Sequence, residues 1–100
     1  MYWNVTDEQR LLLAFMLADT PDLLQNLLDD ILTEKEYGTL IKRLKIACLI
    51  HSCASYKEIE SLTGQSSATI SEIAKKLTNK RGGYYKILSE FTKDFPSYFD

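Results

Sequence analysis

Four glycines and two prolines in one hundred residues leave few places for tight turns. That scarcity favours helices joined by short connections. No apolar run approaches the roughly 20 residues that a membrane span needs, and the longest, around Leu11–Leu17, is bounded by charges. No basic start precedes a hydrophobic stretch, so no secretory signal is expected and the expected address is cytoplasmic. Histidine occurs once and cysteine twice, with His51 between Cys48 and Cys53. A structural or catalytic zinc needs three or four ligands at suitable spacing, so no metal site is expected. A disulfide is disfavoured in a cytosolic helix, and the two thiols read as packing residues or inert groups. No glycine-rich phosphate loop is present. The lone His51 forms no triad with its neighbours, and Asp29, Asp30, Glu34 and Glu36 sit at helix starts, where they favour the dipole. The chain is therefore not expected to be an enzyme.

What the sequence does hold is an average globular composition, 45 % hydrophobic and 26 % charged. One hundred residues read as a single helical domain, 1–100, with a core small enough that a second copy would help to cover it. The formal net charge of −2 hides a division. Residues 1–41 carry two basic and eight acidic side chains, whereas residues 42–87 carry nine basic and three acidic. The basic part can face phosphate, or the two parts can neutralise each other within the fold or across a dimer.

Helix caps punctuate the chain. Thr6 with Gln9 forms a capping box opening a helix to about Leu17. Thr20-Pro21-Asp22 opens a second, with proline where its missing N–H costs nothing and an apolar stripe from Leu23 to Leu32 at helical spacing. Thr33 with Glu36 is a second box, opening a long helix to about His51 with Lys42, Arg43 and Lys45 on a basic side. Ser55 with Glu58 is a third, opening a short helix that Gly64 ends. Ser66 or Ser67 caps the next, with Ile70, Ile73 and Leu77. Asn79–Gly83 reads as a flexible basic loop, and Tyr84 to Phe91 as a final helix stopped at Phe95-Pro96. Six helices and no strand follow.

The stretch from about 55 to 77 has the form of a helix-turn-helix: two short helices about a turn with Gly64, the residue that takes a left-handed backbone without strain. Ile59, Ile70 and Ile73 are placed to pack across the bend. The other side of the second helix shows Ser67, Ala68, Thr69, Ser71, Glu72 and Lys75. Small residues there admit the helix closely to a major groove, and the hydroxyls can bond phosphates or base edges. Candidate DNA-binding residues are Lys57, Ser66, Ser67, Ala68, Thr69, Ser71, Glu72, Lys75, Lys76, Lys80 and Arg81. The same pattern also describes a helical hairpin in a core, and Lys75-Lys76 also suits the end of a solvated helix.

Ile31 to Glu36, Leu40 to Ile46, Ser55 to Ile59, Ala68 to Ser71 and Gly82-Gly83-Tyr84 occur in an order that resembles the Trp repressor family, and within it the YerC/YecD-like branch. The resemblance covers about Leu27 to Leu88. It implies a six-helix, intertwined homodimer that binds double-stranded DNA as a transcription regulator, expected to be a repressor, with two reading helices about 34 Å apart as in the Trp repressor's class. It implies an effector pocket near Thr33 and Arg43. Two departures from the family's pattern argue against tryptophan as the corepressor. Glu72 stands where the family carries a pocket arginine, and Ile73 where the Trp repressor has glycine. Glu72 can instead accept from a cytosine amino group or pair with Lys75 or Lys76. The rival reading is a helical protein-interaction module with a degenerate helix-turn-helix.

The remaining aromatic and apolar residues have plain readings. Tyr2 and Trp3 are a hydrophobic staple or a partner contact. The stripes Leu11–Leu17 and Leu23–Leu32 are core and dimer interface. His51 is a solvated cap, and Tyr84 and Tyr85 brace the last helix, with a phosphate contact as the lesser alternative.

Overall fold

The computed structural model describes residues 5–94, with side chains as far as Phe91. The described residues form six helices and no strand: α1 Asp7–Leu17, α2 Pro21–Ile31, α3 Glu34–His51, α4 Tyr56–Thr63, α5 Ser67–Leu77 and α6 Gly83–Asp94. The stop at Phe95-Pro96 and the staple at Tyr2-Trp3 lie outside them.

The caps explain where the helices start. Gln9 N–H donates to Thr6 Oγ1 at 3.1 Å and Thr6 N–H to Gln9 Oε1 at 3.0 Å, a complete box. Thr20 takes the N–H of Leu23, ahead of Pro21 at the first helical position. At α3 the box is again complete, with 2.9 Å from Thr33 N–H to Glu36 and 3.1 Å in return. The Thr33 backbone N–H and, after it, the Thr33 hydroxyl hold the Glu36 carboxyl below its ordinary value. The box expected at Ser55 is half made. Its hydroxyl accepts from Glu58 N–H, but the Glu58 carboxylate takes the hydroxyl proton rather than a backbone N–H.

Helix α3 ends on a Schellman motif. Ala54 N–H reaches back to Leu49 O at 3.0 Å and Cys53 N–H to Ile50 O at 2.9 Å. The residue that must turn left-handed is Cys53, at φ 66°, where glycine is usual. Cys48, near the end of α3, is half-buried, and burial pushes its thiol up.

The chain separates into two compact units, Met1–Gly38 and Thr39–Asp100. In the first, α1 and α2 bury no residue, and Ala18 after α1 is the buried hydrophobic there. Leu11, Leu12, Phe15, Met16, Leu17, Leu23 and Ile31 are exposed, Met16 to 76 %. The stripes expected to be core and interface are thus largely uncovered in one chain. The second unit has a core of Ile46 and Ala47 from α3, Ile59 from α4, Ile70, Ile73 and Leu77 from α5, and Leu88 from α6. Leu49, Ile50, Ala54, Tyr84 and Phe91 pack around it. Leu40, Ile41 and Leu44 leave an apolar side of α3 exposed.

Tyr84 braces α6 on this core as expected. Tyr85 instead meets His51 edge to face, with ring centroids 6.1 Å apart. His51 is accordingly half-buried and not a freely solvated cap.

Candidate nucleic-acid interface

Helices α4 and α5 make the expected helix-turn-helix. Gly64 caps α4 at φ 70° and ψ 9°, and its N–H closes on Glu60 O at 2.9 Å. An added Cβ there would meet no neighbour. The glycine is required for backbone conformation rather than for space. Ser66, not Ser67, caps α5, accepting from Thr69 N–H at 3.3 Å. Ile59 and Ile70 are fully buried and Ile73 is 1 % exposed. Three isoleucines from two helices are thus locked into the core that also holds α3 and α6, and β-branched side chains have few alternative rotamers. The outer face of α5 is presented on a fixed base.

That face carries most of the expected residues. Ser66, Ser67, Ala68, Glu72, Lys75 and Lys76 are exposed, while Thr69 and Ser71 are half-buried. Lys57 is exposed near the start of α4. Lys80 and Arg81 are exposed beyond α5, and the loop that holds them is a hydrogen-bonded turn. Arg81 N–H donates to Asn79 Oδ1 at 3.1 Å and Gly82 N–H to Asn79 O at 2.9 Å. Among the described residues no ion pair joins Glu72 to Lys75 or Lys76. The intrahelical pairing expected from their spacing is not formed, and the carboxylate is exposed and open to another donor. The two lysines lie in the last turn of α5, where the dipole favours them.

The two residues expected at an effector pocket separate. Arg43 lines a cavity of about 220 Å³ with Thr39, Lys42, Ile46, Gln65 and Thr69. Thr33 does not line it, since its hydroxyl caps α3. Ile73 is turned into the core and also contributes nothing to the cavity wall. Sequence reasoning placed Arg43 at a pocket, saw Lys42 only as part of a basic side of α3, and did not single out Gln65. The cavity joins residues more than twenty apart in sequence, which no local pattern reports.

Among the described residues no group of three metal-ligating side chains assembles, and no helix is long and apolar enough to cross a membrane. No curated protein matches the chain and no solved structure does. The model of the family described as Trp repressor protein matches residues 8–92, which takes in all six helices except the two ends. With that extent of match, and with the six-helix architecture and its helix-turn-helix in place, this chain belongs to the Trp repressor family, a family of DNA-binding regulators rather than enzymes.

Proposed function

We propose that this protein is a sequence-specific, double-stranded-DNA-binding transcription regulator of the YerC/YecD-like branch, acting as a homodimer and as a repressor. The observation that carries the reading is the exposed start of α5. Ser66, Ser67 and Ala68 stand out to solvent on a helix whose opposite side is fixed by buried isoleucines. A rigid helix with a small, polar leading turn is what close entry to a major groove requires. Lys57, Lys75, Lys76, Lys80 and Arg81 supply positive charge around it, suited to phosphate contacts that set register without reading sequence. Thr69, Ser71 and Glu72 are the candidates for base edges, Glu72 toward a cytosine amino group. The exposed leucines of α1 and α2 form an apolar surface of the kind that a second copy covers. A small-molecule effector would use Arg43 and its cavity. Tryptophan does not suit the exposed, negatively charged Glu72.

The test is titration onto fluorescent duplex DNA at several salt concentrations. Saturable binding by two subunits, weakening steeply with salt, is expected. Lys75→Ala and Lys76→Ala should weaken binding to every sequence alike, and Thr69→Ala should change sequence preference. Absence of binding at low salt would support a helical protein-interaction module with a degenerate helix-turn-helix instead.

A further inference from the structure

The cavity beside the helix-turn-helix has a lining that points to one chemistry. Its six residues are Thr39, Lys42, Arg43, Ile46, Gln65 and Thr69, and none is acidic. Lys42 and Arg43 are consecutive on α3, both are exposed, and neither forms an ion pair among the described residues. Across from them stand Gln65, from the turn after α4, and Thr69, from the first turn of α5. The Lys42 ammonium, the Arg43 guanidinium and the Gln65 amide offer donors and positive charge, and no carboxylate lines the cavity. The two adjacent cations also repel each other, so the site as it stands favours an oxyanion.

The hydroxyl of Thr69 can join this set. Thr69 N–H donates to Ser66 Oγ, and the two hydroxyl oxygens lie 3.3 Å apart with either able to donate. A hydroxyl has one proton and two acceptor positions. If Ser66 donates to Thr69, the Thr69 proton is left to point at an anion in the cavity.

We infer that Lys42 and Arg43 hold a backbone phosphate of the duplex, so that α3 is a third DNA-contacting helix beside α4 and α5. This rests on the DNA-binding reading above. It is favoured by position: the cavity adjoins the leading turn of α5, the end of a reading helix that meets the groove, whose wall is the phosphate backbone. It is also favoured by exposure. Cations that keep their water gain little from a small free anion, whereas a phosphate carried on a duplex arrives with its neighbours and releases counterions. Arg43 would grip two phosphate oxygens with its fork and Lys42 would act as a point charge.

The experiment uses the full chain and a duplex that the wild type binds. The slope of log affinity against log salt is compared for wild type, the double variant K42Q/R43Q, and K35Q as a control on the same helix two turns away. Both target side chains are exposed, so the fold is retained, and circular dichroism checks this. The double variant should lose about 0.9 of slope per protomer, the value for one phosphate contact. Sequence preference should be unchanged and K35Q should resemble wild type. A wild-type slope in the double variant would overturn the inference while leaving the DNA-binding reading intact. A wild type that binds no DNA at low salt would remove both. In a second arm, inorganic phosphate at constant ionic strength is added without DNA. If it raises the melting temperature of wild type but not of K42Q/R43Q, and the DNA slopes are equal, the site serves a free oxyanion and the assignment to the duplex is wrong.

Discussion

Helices α1 and α2 begin on caps as well made as those of α4 and α5, yet they bury nothing, whereas α5 alone buries Ile70, Ile73 and Leu77. Hydrogen bonding at the ends does not explain the difference. Nor does apolar content, since α1 reads Leu-Leu-Leu-Ala-Phe-Met-Leu through its middle. The difference lies in what is available to cover each face. In the second unit four helices converge on one set of isoleucines and leucines. In the first unit two helices bring more apolar surface than they can hide from water. Monomeric proteins seldom leave a contiguous patch of that kind exposed, which is why a second copy belongs in the proposal.

The largest effect should come from the well-covered side. Ile70→Ala removes a fully buried side chain and should cost about 2–5 kcal/mol, a large share of the roughly 5–15 kcal/mol that holds a domain together. A denaturant titration measures it. Leu12→Asp is the matching change on the uncovered side, at a residue 56 % exposed in the single chain. It should leave the helical signal of dilute protein nearly unchanged but abolish association in sedimentation equilibrium. Unaltered association would erase the distinction between the two units.

A smaller effect, of opposite sign, is expected at Cys53. An L-residue in the left-handed region costs roughly 1–2 kcal/mol relative to glycine, part of which glycine returns through its more disordered unfolded chain. Cys53→Gly should therefore stabilise by about 1 kcal/mol and raise the melting temperature by several degrees. A lowered melting temperature would show that the thiol contributes more than its backbone strain removes.

The smallest effect concerns pH and belongs to the first unit. The Glu36 carboxyl is held below its ordinary value of 4.5 by the Thr33 cap. Its contribution is fully present above that value and is lost as pH falls through the lower folded one. Glu36→Gln keeps an acceptor for Thr33 N–H but cannot titrate. Its stability should fall less steeply than that of wild type below pH 4.5, as thermal melts across that range would show.

Much of this was legible in the sequence because it is local. Thr6, Thr20, Thr33 and Ser66 cap the helices that they precede, and Gly64 ends α4, because each choice depends on residues three or four apart. The isoleucines across the bend were legible for the same reason. The left-handed turn at Cys53 was not, since cysteine does not signal that conformation. The half-made box at Ser55 was not, because Glu58 had two donors to choose between. The unpaired Glu72 was missed because spacing permits an ion pair without requiring one. The full lining of the cavity at Arg43 was hidden for a different reason: α3 meets α5 through tertiary packing, and only then do Arg43 and Thr69 line the same space.

Each cap closes on a residue only three positions further along the chain. The consequence is one of timing. Five helices that mark their own starts need no distant partner to begin forming, and chains rich in local contacts fold in microseconds to milliseconds. The step that must wait is the closure of the core that holds both Ile46 and Leu88, its first and last buried residues in sequence. A core mutation should thus slow the last stage of folding while the helices appear on schedule.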